Sequence, residues 1–395
     1  DSRIGTENSV SSLIGRNNAT SFQKKTRSKL VSIPGTRPSV QNGQLIVSTG
    51  VTSLDYVIGG GLAVGTLLLI EEDQSDSYSQ MLLRYFLAEG VVCGHELFLA
   101  SAQDHPENIM QMLPSPILDD NVSTDQGDRP PTPLHLHDPD AMKIAWRYQN
   151  LPKFQTTFGS SLFGHCYDLS KPMEQQVRQA AKCHTFYLPE EKTAAKESSH
   201  LTGPYAGLLQ CIQALIQKEG FDGSSSQCTV RNVLRVCLHS LGSALWGDDL
   251  CCSESPTHYH ALTTFLYALR ALLRSSLSVA MVTVPSHLIQ VRVVIMERIT
   301  KLSDTTLTLE SFQGSEKETN PLYKDYHGLL HIRQVPHLNC LLCAIPDTKD
   351  LAFKLKRKQF TIEKLHLPPD LSESVSRVSK VELPGCGPTS KHLDF

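Results

Sequence analysis

Apolar positions change their spacing several times along the chain, and each change marks an element. Thr66-Leu-Leu-Leu-Ile70 is a short apolar run bounded by Gly65 and by acidic residues, which predicts a buried parallel strand. Residues 79–88 carry apolar side chains at helical spacing and predict a helix that stops at Gly90, a residue suited to a C-cap. Residues 96–100 supply a second strand, so strand, helix and strand follow as a βαβ unit. The alternation resumes with a helix over 205–219, a strand over 233–238, a helix over 259–274 and a strand over 278–284. Residues 291–299, 304–310 and 328–334 then read as antiparallel strands, with Asn320-Pro-Leu-Tyr323 as a turn. The pattern is that of an α/β domain with a central, mostly parallel β-sheet flanked by helices and antiparallel strands toward the C-terminus.

Between these elements the chain is polar. Residues 1–40 hold too few large apolar side chains to offset chain entropy and read as a disordered basic arm (Lys24, Lys25, Arg27, Lys29). Stretches near 114–140 and 190–203 read as loop insertions in a domain spanning 41–345, and 346–395 as a basic segment with a polar tail. Residues 142–148 and 163–169 look ordered but declare no type. Hydrophobic residues make up 40% of the 395, enough for a sizeable core and too many for wholesale disorder. With 37 Lys and Arg against 40 Asp and Glu, the chain is not coated in positive charge, so any nucleic acid must be met at a local patch. Eleven cysteines, mostly inside apolar runs (Cys93, Cys211, Cys237, Cys340, Cys343), read as reduced, buried thiols. No stretch approaches the ~18 apolar residues of a membrane span, and the opening Asp1-Ser-Arg-Ile-Gly5 carries no secretion signal. The expectation is a soluble protein of cytoplasm and nucleus with no membrane partner.

The densest signal is Ser48-Thr-Gly-Val-Thr-Ser-Leu-Asp55, followed by Gly59-Gly-Gly-Leu-Ala-Val-Gly65 and then the first strand. This lead-in resembles the RecA-like nucleotide-binding family, in particular its circadian-clock and archaeal-recombinase branches. In that family the strand ends in a phosphate loop, Gly-x4-Gly-Lys-Ser/Thr, whose backbone amides cradle phosphates while its hydroxyl holds Mg²⁺. Here the spacing is kept and the residues are not. Glu72 and Ser77 stand where the glycines belong and Tyr78 where the Lys belongs, leaving only Ser79, which also suits a cap. Glu71, Glu72, Asp73 and Asp76 crowd the place of a triphosphate. Each like-charged pair at ~4 Å costs about 1 kcal/mol in water and about 4 at an effective dielectric of 20. Acidic residues favourably placed at a helix N-terminus explain them better. At the end of the strand over 233–238, where the family has an Asp for the Mg²⁺ shell, stands His239 before Ser240, and imidazole is a poor ligand for so hard an ion. The expectation is a RecA-like fold without its own nucleotide, and with no catalytic residue.

Further stretches extend the likeness: residues 31–39, 59–73, Lys143-Ile-Ala-Trp-Arg-Tyr148, Phe163-Gly-His165 with Tyr167 and Asp168, Leu245-Trp-Gly-Asp-Asp249, 320–328 and 350–372. They resemble the family of RecA-like Elongator subunits, at its fourth-subunit branch. That resemblance implies a hetero-hexameric ring built with the related fifth and sixth subunits and attached to the larger catalytic subunits. It also implies tRNA as a partner and support for modification of the wobble uridine in anticodons, besides the complex's earlier link to transcription elongation. ATP would then lie between subunits, with this chain as a wall or an arginine donor; Arg270 and Arg274 qualify by position, and surface arginines are the plainer reading. The alternatives are an ATPase with an unorthodox site and a pure assembly scaffold that never touches RNA.

For RNA contact the candidates are Lys354, Lys356, Arg357 and Lys358, four charges between Phe353 and Phe360 with Lys364 close by. The competing reading is a solvated helix face with both phenylalanines in the core. Arg333 and Lys324 are weaker versions of the same idea. Cys251, Cys252, His258 and His260 could ligate a metal, but adjacent cysteines fit zinc spacing poorly, so none is expected. Ser240, His239 and Asp248 supply the letters of a nucleophilic triad without the elbow that would arm it.

Overall fold

In a computed structural model the described residues are 33–39, 43–117, 163–194, 203–223, 232–247, 256–285, 293–336 and 350–365. A three-stranded antiparallel ribbon comes first: β1 (Thr36–Pro38) pairs with β2 (Leu45–Val47), which, across α1 (Thr52–Val57), pairs with β3 (Leu62–Ala63). Within the stretch read as the 1–40 arm, then, residues 36–38 form a strand. Gly61 makes the turn into β3 possible. Its φ is +137° and an added Cβ would stand 2.6 Å from the Val47 carbonyl oxygen, which no side chain tolerates.

The chain continues through β4 (Leu67–Glu71), α2 (Ser77–Val92), β5 (Glu96–Ser101), α3 (Pro106–Gln111) and β6 (Pro114–Pro116). After residues outside the description come β7 (Tyr167–Pro172), α4 (Gln175–Ala180), β8 (Cys183–Tyr187), α5 (Leu188–Ala194), α6 (Pro204–Lys218) and β9 (Leu234–Leu238). The last third holds α7 (Pro256–Ser275), β10 (Ser278–Val284), α8 (Val293–Leu302), β11 (Thr305–Ser311) and α9 (Glu316–Thr319). It ends with β12 (Gly328–Gln334), β13 (Leu351–Leu355) and β14 (Phe360–Lys364).

Nine strands form one sheet in the order β14-β13-β12-β11-β4-β10-β9-β5-β8. From β11 to β8 neighbouring strands run parallel, and from β11 to β14 they alternate. This is the expected α/β RecA-like sheet with an antiparallel C-terminal extension. Buried side chains alternate between its faces. Leu68 and Ile70 of β4, with Val279 and Met281 of β10, pack toward α2. Leu67, Leu69, Ala280 and Val282 pack into the other layer, with Leu208 and Ile212 of α6, Leu266 and Leu269 of α7 and Ile299 of α8. Helices on both faces explain why the central strands are apolar at every position rather than every second one.

Four readings are corrected. Gly90 does not end α2: it lies buried inside the helix, which runs on to Val92 and turns off through Cys93 and Gly94. The glycine is there because a Cβ would come within 2.5 Å of Leu97 and 2.8 Å of Arg235. Residues 293–302 are helix α8 rather than strand; Ile295, Met296 and Ile299 are buried at helical spacing, a period hidden by neighbouring β-branched residues. The basic segment at 354–358 is a strand-turn-strand hairpin rather than a helix face, and it joins the main sheet. Cys211 is exposed on α6, while Cys237 is buried as expected. Among the described residues no helix is long and apolar enough to cross a membrane.

Candidate functional site

The residues between β4 and α2 occupy the position of the phosphate loop, and the loop is filled by its own side chain. Asp73, 2% exposed, accepts hydrogen bonds from the backbone amides of Ser77 (3.1 Å), Tyr78 (3.0 Å) and Ser79 (3.0 Å) and from the hydroxyls of Ser75 and Ser79. Three successive amides at a helix start are what would otherwise receive a phosphate. Charge-assisted hydrogen bonds of this kind contribute about 1.5–3 kcal/mol each. A nucleotide would have to displace a tethered carboxylate and then sit against its charge.

Tyr78, in the Lys position, turns the other way. Its ring lies 4.6 Å from Phe353 and 6.4 Å from Phe360, so it anchors α2 to the β13–β14 hairpin. The Ser79 hydroxyl lies within hydrogen-bond distance of both Asp73 (3.0 Å) and Asp76 (2.7 Å), with one proton to give, and thus serves the loop itself. His239 is fully buried at the end of β9, with Nε2 2.9 Å from Asp76 and Nδ1 3.4 Å from the Ser101 hydroxyl. Burial by itself would lower its pKa; the hydrogen bond and charge of Asp76, helped by Glu72 and Asp104, outweigh burial and raise it. Asp76 and Ser240, which flank this pair, are the non-glycine residues with positive φ among those described, at 54° and 52°. Glu72, 4% exposed, is pushed up to about 7 by burial and by Asp76. The residues do not fit a nucleotide with Mg²⁺: the amides are taken, the lysine is missing, and an imidazole paired with a carboxylate replaces the hard oxygen ligand.

Among the described residues three sets bring three possible metal-ligand atoms within 4.8 Å of one another: Glu72 with Asp76 and His239, Glu89 with Cys93 and His165, and Glu96 with His184 and Glu219. The third already carries a cation, since Lys182 pairs with both Glu96 and Glu219. The second belongs to a buried network that the sequence reading missed. Glu89 accepts from the Tyr167 hydroxyl (2.6 Å) and the His165 amide (3.1 Å). Burial would raise its pKa, but His165, Tyr167 and the charge of Arg235 hold it at about 2. Arg235 is fully buried, donating to His95 Nδ1 (2.9 Å) and to the carbonyls of Ser48 (2.9 Å) and Phe86 (3.1 Å). His95 in turn bonds the Pro34 carbonyl (2.8 Å), and burial followed by the charge of Arg235 depresses its pKa to about 3. The one sequence signal for this network is the charged residue inside the apolar strand over 233–238.

The lead-in motif is a lock of the same kind. Asp55, 4% exposed, accepts from the Ser48 hydroxyl and from the Thr49 amide (2.8 Å) and hydroxyl (2.7 Å), and burial raises its pKa to about 6. Arg270 and Arg274 both pair with Asp304, and Arg274 also bonds the Gly65 carbonyl, so they tie α7 to the sheet. Phe353 and Phe360 are buried, and the charges between them are spread around the hairpin tip. Lys354 Nζ lies 5.8 Å from the Tyr326 ring, Lys356 pairs with Glu363 at 3.3 Å, and Arg357 and Lys358 are exposed. Arg333 bonds Thr308 (2.9 Å) near Glu71, and Lys324 is exposed. Lys143–Tyr148, Asp248, Cys251, Cys252 and the side chain of His258 lie outside the described residues.

The model of the PAXNEB protein family matches residues 29–395. The chain is 69% identical to Elongator complex protein 4 of Danio rerio over 391 residues, 98% of each chain. It is 54% identical to the protein of that name in Homo sapiens, covering 96% of this chain and 95% of the relative. With that of Drosophila melanogaster it shares 35% identity over 91% and 95% of the two chains.

Proposed function

This chain belongs to the PAXNEB family, and on that premise we propose that it is a non-catalytic, RecA-like subunit of an Elongator complex. It assembles with two related subunits, the fifth and sixth, into a hetero-hexameric ring that joins the larger catalytic subunits. The ring binds tRNA and supports modification of the wobble uridine, in cytoplasm and nucleus. Full-length similarity to relatives named Elongator complex protein 4 supports the assembly part of this reading.

The observation that carries the non-catalytic part is Asp73 in the amide cradle at the start of α2. The fold keeps the strand, loop and helix that hold a phosphate, and the chain spends their donors on itself. Nucleotide in the ring then belongs to a neighbour's loop, with this subunit as the wall. Titration calorimetry with ATP and Mg²⁺ tests this: no heat is expected from the isolated chain, and binding appears only when its two sister subunits are present. Saturable binding by the chain alone reverses the assignment in favour of an ATPase.

A further inference from the structure

We infer that the cleft beside the β13–β14 tip receives one unstacked nucleotide of a single-stranded RNA segment, with its phosphate on the surrounding cations and its base on an apolar floor. This rests on the RNA-binding reading above. The cleft encloses about 540 Å³, inside the range of about 300–1,000 Å³ usual for small-ligand sites.

Four cations stand around it: Arg84 from α2, Lys171 from β7, and Lys356 and Arg357 from the hairpin tip. Among the described residues, none that lines it is acidic. The cleft wall itself is therefore positive in a chain whose net charge is −3, with Glu363 paired to Lys356 and Asp168 beside Lys171 just outside it. Arg84 gives one Nη to Gln80, which fixes its guanidinium at the cleft wall. Lys356 is held by Glu363, but a pair this exposed is worth little in water, so a phosphate competes for it.

The floor between the cations is Met81, Met112 and Leu169. Met112 is 49% exposed, so its thioether is open to a ligand. Soft, adaptable side chains accept a flat base of any identity. A run of carboxylates alone would meet the cations and leave the floor uncovered, whereas a single nucleotide carries both an anion and a flat apolar face. The base must be free of its stack to reach the floor, which selects single-stranded loops over duplex.

The test is anisotropy of labelled oligouridine, an abasic oligonucleotide of equal length and tRNA, each titrated over several salt concentrations with the full chain in its purified complex. Lys171→Glu with Arg357→Glu is expected to weaken all three at least about tenfold and to flatten the log–log salt slope by about 1.4, two contacts at about 0.7 each. Met112→Ala is expected to weaken oligouridine several-fold and leave the abasic strand unchanged. Lys218→Glu with Lys301→Glu makes the same charge change on exposed residues elsewhere and should leave binding intact. An equal loss in that pair, or unchanged affinity in the cleft variants, overturns the cleft while the RNA reading stands. Retained RNA affinity with loss of a protein partner from the complex makes the cleft a protein contact instead. Absence of RNA binding by the unaltered complex removes both.

Discussion

Asp73 does with a carboxylate what related loops do with a phosphate, and this sets what substitution there can achieve. Replacing Glu72, Ser77 and Tyr78 by Gly, Gly and Lys restores the letters of a phosphate loop but leaves the cradle occupied. We expect no ATP affinity by calorimetry, and a loss of about 1–3 kcal/mol in urea unfolding, because Tyr78 leaves its place against Phe353. His95 gives a pH-dependent prediction. The unfolded chain protonates this imidazole near its ordinary 6.5, whereas the folded protein resists until about 3. The unfolded state therefore binds more protons between those values, and the contribution of His95 to stability falls as pH drops through that window. His95→Asn keeps an acceptor for Arg235 and removes the titration. The stability advantage of the natural protein over this variant should shrink by about 1.4 kcal/mol per pH unit below 6.5, read from unfolding curves at stepped pH.

At the scale of elements, α2 shows two rules in competition. Alanine is a better helix former than glycine by up to about 1 kcal/mol, so Gly90→Ala should help an isolated helix. In the protein the new methyl meets Leu97 at 2.5 Å and Arg235 at 2.8 Å. Arg235 cannot move aside without leaving His95, Ser48 and Phe86, and overpacking of this kind costs typically 1–3 kcal/mol. Packing wins, and Gly90→Ala is expected to lower the urea midpoint with its slope unchanged. Strands β4, β5, β9 and β10 were legible because both their faces are buried, which writes a nearly uninterrupted apolar run, whereas the edge strand β8 is only partly buried and left no such run. α8 was not, since Val293, Val294 and Ile295 imitate a strand and only burial against α7 reveals a helical period.

Over the whole molecule, the sheet carries the basic hairpin from the C-terminal segment to the flank of α2. There it meets β7, which lies beyond the residues that separate it from β6. The cleft is made by this meeting, so three distant parts of the chain share one cluster of charge. The sequence by itself determined the α/β class, the alternation of strand and helix from β4 to β5 and from α6 to β10, and the loss of the phosphate-loop glycines and lysine, because these depend on local spacing and on which residues stand at fixed offsets. It also placed four cations together at 354–358. Tertiary structure alone decided that Tyr78 faces the hairpin, that Arg235 and Glu89 share a buried network, that Arg270 and Arg274 serve Asp304, and that Arg84 and Lys171 join the hairpin charges. These outcomes turn on contacts between residues far apart in the chain, where direction and burial, rather than spacing, select the partner.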